Sequence, residues 1–288
     1  MEQGIIVRGV GGVYDVRTDT GTVRCTLRGR LRLQDERVLV GDRVEITSKG
    51  DAGVVENILP RITQLTRPPI ANVEQAVVVF SVDNPPPIRV LLDRILVNAH
   101  AAGVSSVIVL NKADLNLEKA TKLTATYGSI SYPTLITSAA KREGLDELRE
   151  LLDGRVSTLA GPSGVGKSSL LNAIDSSFQL ETGEVSGRLQ RGRHTTRAVQ
   201  LLPIGSRGLV ADSPGFSQLT ISHKTRKELQ YSFPEMHPYL GMCHFRGCLH
   251  HHEPRCAVKE AVHTGEIPSH RYDHYILFLQ EIAEAQPY

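Results

Sequence analysis

The sequence lacks several features that would assign it to a class at once. No apolar run approaches the roughly 18 residues that a bilayer span requires. The first residues, Met-Glu-Gln-Gly-Ile-Ile-Val-Arg, lack the charged-then-apolar layout of a signal peptide, so a cytoplasmic protein with no membrane partner is expected. Four cysteines in 288 residues are too few for a disulfide scaffold. The formal net charge is only +2, so no global field draws in nucleic acid, and any polyanion contact has to come from a local patch. What is present is ordinary: 40 % hydrophobic residues, enough for globular cores, in a length that admits one large domain or two to three small ones.

The texture changes twice along the chain. Segments 4–10, 12–17, 22–33, 42–47 and 53–58 are rich in Val, Thr, Leu and Arg, and Gly11-Gly12, Thr20-Gly21, Gly41-Asp42 and Gly50-Asp51 punctuate them. Five short strands without a convincing helix suggest an OB-type barrel, with an SH3-like barrel or a plain meander as alternatives. Arg28, Arg30 and Arg32 would share one face of the third strand, because side chains alternate. Such a basic face suits an RNA backbone, and otherwise it is a solvated outer face.

From Glu74 onward, apolar runs such as Ala76–Val82 alternate with helical stretches near 88–101, 116–127, 143–152 and 167–174. This pattern predicts a mostly parallel α/β sheet with helices on both faces. Beyond Ile221 the strand pattern stops, and 224–233, 257–264 and 271–285 read as helices. That last stretch is short for a core of its own, so a staple would help it. The expected division is a barrel over 1–66, an α/β domain over 67–222 and a mostly helical domain over 223–288.

Three motifs carry the chemistry. Asn111-Lys112-Ala113-Asp114 follows an apolar strand. The Asp114 carboxylate can accept from the N1–H and 2-amino groups of guanine, which adenine lacks. Asn111 would brace the loops, and the Lys112 stem would pack on the base. Ser138 and Ala139, just past the next strand, fit a loop whose backbone meets the guanine oxygen, or else a polar turn. Gly161-Pro162-Ser163-Gly164-Val165-Gly166-Lys167-Ser168-Ser169 is a phosphate loop. Its glycines let backbone N–H groups turn inward, Lys167 reaches the β- and γ-phosphates, and the Ser168 hydroxyl suits Mg²⁺. Asp212-Ser-Pro-Gly215 would hold Mg²⁺ through water at Asp212 and sense the γ-phosphate at the Gly215 N–H.

The order is inverted relative to an ordinary small GTPase, because the guanine reader precedes the phosphate loop. Such a chain is circularly permuted, and everything after Gly215 is tied to the element that senses the γ-phosphate. Phe216 stands where Ras-like GTPases carry a water-orienting glutamine, so slow intrinsic hydrolysis is expected. Between these motifs lies 186–197, with four arginines, one histidine and no acid. It occupies the switch I position. Thr196, or alternatively Thr195, would close on Mg²⁺, His194 could help place water, and Arg191 and Arg193 could touch RNA phosphate. A solvated charged loop is the alternative.

Cys243, Cys248, His250 and Cys256 supply three thiolates and an imidazole, which suits a closed, structural Zn²⁺ site. His251 and His252 compete with His250 as the nitrogen ligand.

With these motifs in this order, the chain resembles the ribosome small-subunit-dependent GTPase A family, also called RsgA or YjeQ. The resemblance rests on Asn111–Asp114, Gly161–Ser169, Gly192-Arg-His-Thr-Thr196, Asp212–Phe216 and the Cys/His set, and it covers nearly the whole chain. It implies an N-terminal OB-type β-barrel, a central circularly permuted α/β P-loop GTPase domain and a C-terminal helical zinc-binding domain. It implies a GTP hydrolase that converts GTP to GDP, with one Zn²⁺ per chain and Mg²⁺ accompanying the nucleotide. The implied partners are the 30S ribosomal subunit and its 16S rRNA late in maturation, bound by a monomer and stimulating hydrolysis. A nucleotide-gated rRNA-binding module with incidental hydrolysis is the alternative. Related permuted GTPases that use K⁺ carry asparagine where this chain has Gly164.

Overall fold

The computed structural model describes residues 1–32, 37–50, 52–66, 68–180, 199–212, 220–221 and 225–285. Its first part is a closed five-stranded barrel: β1 (Glu2–Val10), β2 (Val13–Thr18), β3 (Gly21–Leu27), β4 (Arg43–Lys49) and β5 (Ala52–Ile58), in the order β1-β2-β3-β5-β4, with β4 paired back onto β1. The β1–β2 turn shows how sequence sets geometry. Val10 faces Val13 across Gly11-Gly12, whose φ values are +59° and +81°. Both central residues of a two-residue hairpin turn of this kind need positive φ, which glycine supplies without strain. The barrel interior holds Ile6, Val16, Cys25, Val44, Ile46 and Val55, all fully buried.

One expectation fails here. The segment 22–33 is not a single strand, because β3 ends at Leu27 and a helical turn, α1 (Gly29–Arg32), follows. The turn lets Leu31 drop into the barrel core, where it is buried among Val23, Val55 and their neighbours. The arginines therefore do not line a strand face. Arg28 pairs with Glu56, and Arg30 donates to the Glu56 carbonyl (2.8 Å) and to Asn57 Oδ1 (2.5 Å).

A short hairpin, β6 (Gln64–Thr66) with β7 (Pro69–Ala71), leads into a six-stranded sheet. Its strands are β8 (Gln75–Ser81), β9 (Ser105–Asn111), β10 (Thr134–Ile136), β11 (Val156–Ala160), β12 (Leu201–Ile204) and β13 (Gly208–Asp212), in the order β10-β9-β8-β11-β13-β12. All pairings are parallel except β12 with β13. Every residue of β8 is buried. Val78 and Phe80 pack with α2 (Arg89–Ala101) and α3 (Leu117–Gly128) through Ile95, Leu96, Leu123 and Tyr127. Val77 and Val79 pack with α4 (Leu145–Leu152) and α5 (Lys167–Ile174) through Leu148, Leu152, Leu170 and Leu171. The continuous apolar run of β8 thus reflects burial on both faces.

The C-terminal part contains α6 (Arg226–Leu229), α7 (Ala257–His263) and α8 (Ser269–Ala285). Leu229, Phe233, Met236, Val258, Tyr275, Phe278 and Ile282 form its core, and Val97 of α2 belongs to the same cluster. The short segment therefore completes its core by borrowing a face of the α/β domain. An ion network reinforces the joint. The fully buried Arg271 lies 2.7 Å from Asp93 of α2 and 2.6 Å from Glu235. Asp93 also accepts from the Tyr127 hydroxyl at 2.9 Å.

The barrel is also fixed to the sheet. Arg8 bridges to Gln200, beside β12, and Ile5 and Val7 of β1 pack against the sheet's core. Arg61 holds the buried Asp42 through two contacts of 2.6 and 2.9 Å, and Asn72 Nδ2 donates to the Gly41 carbonyl.

Candidate nucleotide site and metal centre

Because β9, β8 and β11 are parallel neighbours, the loops at their carboxyl ends emerge on one edge of the sheet, where open α/β folds bind ligands. The phosphate loop leaves β11 at Gly161. A Cβ there would stand 2.1 Å from the Val79 carbonyl oxygen, so only glycine lets the loop run this close to β8. Gly166, at φ +95°, is restricted in the same way, since its Cβ would meet Asn111 Nδ2 at 2.4 Å. Lys167 opens α5, and its Nζ donates to the carbonyl oxygens of Gly161 and Pro162 at 2.9 Å each. The ammonium is therefore held within the loop, where phosphate oxygens can replace those carbonyls as acceptors.

Asn111, at the end of β9, ties its own loop to the loop after β11 and to the loop after β10. Its Nδ2 donates to the Val165 carbonyl at 2.8 Å, and its Oδ1 accepts from the Ala139 N–H at 3.2 Å and from Thr137 Oγ1 at 3.3 Å. Three segments far apart in sequence are joined by one buried amide. Ala139 thus directs its N–H to Asn111, and Ala139 and Ala140 line a cavity. Lys112 adopts a left-handed conformation at φ +60° and donates from Nζ to the Asn84 carbonyl. Asp114 accepts from Ser138 Oγ at 2.5 Å, and that hydroxyl in turn accepts from the Lys141 N–H at 3.1 Å. The cavity, of about 300 Å³, is lined by Asn111, Lys112, Asp114, Leu115, Ala139, Ala140, Gly166 and Ser169. The structure therefore brings the residues of two separate motifs, with the loop after β10, around one space.

Asp212 ends β13 and pairs with Leu159 of β11, next to the phosphate loop. Arg191, Arg193, His194, Thr195, Thr196, Gly215 and Phe216 lie outside the described residues.

The second constellation stands in the C-terminal domain. One ligating atom from each of Cys243, Cys248, His250 and Cys256 lies within 4.8 Å of the others, and Cys248, His250 and Cys256 are buried. His250 Nδ1 is 3.5 Å from Cys243 Sγ and 3.3 Å from Cys256 Sγ. His250 Nε2 lies 2.9 Å from Gln230 Oε1. With Nε2–H donating to Gln230, Nδ1 presents its lone pair to the sulfurs, as a metal-binding imidazole requires. The surrounding backbone is equally restrained. Tyr272 and Tyr275 hydroxyls donate to the His250 and Leu249 carbonyls, and the Glu253 carboxylate accepts from the Leu249 and His251 N–H groups. Those backbone bonds offset the effect of burial and hold Glu253 ionised, with a pKa of about 2. His251 and His252 stack on each other, 3.5 Å between centroids, outside the cluster. Three thiols and an imidazole converging this way could hold a metal ion.

Comparison with known proteins bears on the whole chain. A family model described as RsgA GTPase matches residues 58–222, and one described as RsgA N-terminal domain matches residues 3–55. The chain belongs to the RsgA GTPase family. It is 50 % identical over 281 residues to the small ribosomal subunit biogenesis GTPase RsgA of Moorella thermoacetica, covering 97 % of each chain. It is 47 % identical to the protein of the same name from Geobacillus thermodenitrificans, covering 100 % of this chain and 99 % of the relative. Among solved structures, YjeQ from Thermotoga maritima superposes with a TM-score of 0.85 at 39 % identity, over 98 % of each chain. YloQ, described as a circularly permuted GTPase, superposes with a TM-score of 0.84 at 36 % identity, over 100 % of this chain and 97 % of that one.

Some residues of this RsgA-family site carry no sequence signal. Asn84 contributes only a carbonyl, to Lys112, from a proline-rich segment that reads as a loop. Gln230, the residue directly after α6, meets His250 from 20 positions away in sequence. Asp93 and Arg271 are 178 residues apart and meet only through the docking of α8 on α2.

Proposed function

We infer that this chain is a GTPase acting in biogenesis of the small ribosomal subunit, hydrolysing GTP to GDP and phosphate. The observation that carries this reading is the Asn111 bridge. One side chain holds the base-reading loop and the phosphate loop against each other, which is useful only if one ligand occupies both. In this proposal the Asp114 carboxylate reads guanine and Lys112 covers the base. The backbone of Gly161–Ser169 and the Lys167 ammonium hold the phosphates. Mg²⁺, held by Ser168, Thr196 and Asp212, would neutralise charge on the transferred phosphoryl oxygens. Zn²⁺ on Cys243, Cys248, His250 and Cys256 would be structural, because four protein donors leave no open position.

The proposed division remains 1–66, 67–222 and 223–288. The partner is the 30S subunit, contacted by a monomer through 16S rRNA. The exposed Arg28 and Arg30 and the basic stretch 188–197 are proposed as RNA contacts. Phe216 cannot orient water as glutamine does, so the subunit is proposed to complete the site. Supplying such a part raises turnover by roughly 10³–10⁵ in comparable systems. The test is steady-state GTP turnover with 30S, with 50S and with neither, at matched concentrations. Strong stimulation by 30S alone is expected. Equal stimulation by 50S, or full turnover by the free protein, overturns the reading.

A further inference from the structure

Asn98 lies on α2 and is 5 % exposed. Its neighbours on the helix are apolar: Leu92, Ile95, Leu96 and Ala99 pack on the sheet, and Val97 belongs to the C-terminal core. A buried amide in such surroundings is costly unless it is bonded. Asn98 Nδ2 donates to the Thr220 carbonyl at 3.2 Å, across 122 positions of sequence. Thr220 itself is an exposed residue. Water satisfies an exposed carbonyl about as well as an amide does, so what the bond adds is a fixed place for the chain. Ile221 secures the next position by packing against the C-terminal core. The anchor is firm, because α2 is held on both sides. The sheet covers one side. On the other, Asp93 meets Arg271 at 2.7 Å, Arg94 bonds Glu281 at 2.5 Å, and His100 Nδ1 lies 2.9 Å from Ser232 Oγ.

The place of Thr220 in the chain gives this bond a role. Asp212 is fixed by its strand, through pairing with Leu159 of β11. Thr220 follows eight residues later, with Gly215 and Phe216 between them. The stretch that carries the proposed γ-phosphate reader is therefore fixed by the sheet at Asp212 and by Asn98 at Thr220. We propose that Asn98 is a positioning residue for GTP hydrolysis: it fixes the far end of that stretch and so sets Gly215 against the γ-phosphate. This rests on the GTPase reading above and adds to it a residue outside every nucleotide motif. Asn98 acts through the backbone it holds and not on the nucleotide directly. Such remote restraint matters because a misplacement of about 1 Å among reacting groups costs up to about 10² in rate. The bond also separates the two nucleotides. GDP has no γ-phosphate to be read, so only GTP gains from a correctly placed Gly215.

The test compares the full-length parent, N98A, N98D and K167A in two measurements. One is steady-state GTP turnover with 30S subunits. The other is calorimetric titration with GDP and with guanylyl imidodiphosphate, a GTP analogue that is not hydrolysed. N98D keeps the shape of the side chain, but a carboxylate cannot donate to a carbonyl, so it should behave as N98A does. Both variants should keep GDP affinity within twofold of the parent. Turnover at saturating GTP and the analogue-to-GDP affinity ratio should each fall roughly three- to tenfold, the factor that one net hydrogen bond supplies. Turnover and ratio within twofold of the parent in either variant overturn the proposal. So does a loss of GDP affinity in step with the analogue, because the bond then serves the fold and not the γ-phosphate. The K167A arm reports separately on the underlying reading. If K167A turns over GTP as the parent does, the phosphate-loop assignment itself fails, whatever the Asn98 variants do.

Discussion

In the proposed reading, base specificity rests on one carboxylate, that of Asp114. It faces the cavity beside Leu115 and is oriented by Ser138. Replacing it with asparagine substitutes a donor for one acceptor and removes charge-assisted bonds worth about 1.5–3 kcal/mol each. Asp114→Asn is therefore expected to lose roughly 10- to 150-fold in GTP affinity and to favour xanthine nucleotides, measurable by competition binding. Lys167→Ala removes the ammonium that Gly161 and Pro162 hold in place, and GTP turnover should collapse while the folded state persists. A different carboxylate makes a prediction about pH. Asp153 accepts from the backbone N–H of Arg207 and from Ser206, and these bonds depress its pKa to about 2 from an ordinary 3.8. A depressed folded-state pKa stabilises the fold above the unfolded value and loses that contribution as protons bind. Acid titration should show a stability loss that begins as pH falls through about 3.8 and is complete below about 2. Asp153→Asn should lack that component, as thermal melts across the same pH range would reveal.

At the scale of elements, the candidate metal centre depends on its neighbours, and the zinc proposed for it gives the test. Gln230 fixes the His250 ring, and loss of such a partner typically costs 10–100-fold in metal affinity. Gln230→Ala should therefore give up Zn²⁺ to a chromogenic chelator at about that much lower chelator strength. His250→Ala should lose the metal, whereas His251→Ala should keep it; the reverse result would reassign the nitrogen ligand. The elements themselves were legible in the sequence to different degrees. The strands of the parallel sheet were plain because burial on both faces leaves a continuous apolar run, as in β8. The three clustered cysteines were plain by residue type, but the sequence did not separate His250 from His251 and His252, and only the fold brings His250 beside the sulfurs. The turn α1 was not. Arginine at 28, 30 and 32 mimics strand alternation, and only the demand for a buried residue at Leu31 reveals a helical turn. The hairpin of β6 and β7 is too short to leave a periodic signal. Contacts made by backbone carbonyls, such as Asn84 with Lys112, leave no trace in residue identity.

At the scale of the molecule, the joint between the α/β domain and the C-terminal domain hangs on Arg271. Burial opposes its charge, but Asp93 and Glu235 outweigh that penalty and keep its pKa raised. Arg271→Met would take the guanidinium away from two buried carboxylates, leaving Asp93 with only the Tyr127 hydroxyl and His274, at a cost of about 3–5 kcal/mol. Denaturant melts should register that loss, and the triple variant with Asp93→Asn and Glu235→Gln should recover much of it. The seating of β8 between β9 and β11 has a further consequence, for the time during which the protein is made. Gln75 of β8 bonds Ser157 of β11, 82 residues further on. At roughly 5–20 residues per second, the ribosome leaves one edge of the most buried strand unpaired for about 4–16 seconds. In a conventional strand order the phosphate-loop strand comes first, whereas here the nascent chain waits for it. Chains stalled before residue 156 should therefore be cut readily by protease within 75–111, and chains stalled well past 212 should resist. A factor that guards the assembly of ribosomes would itself leave one with its central strand still open to cleavage or misassociation.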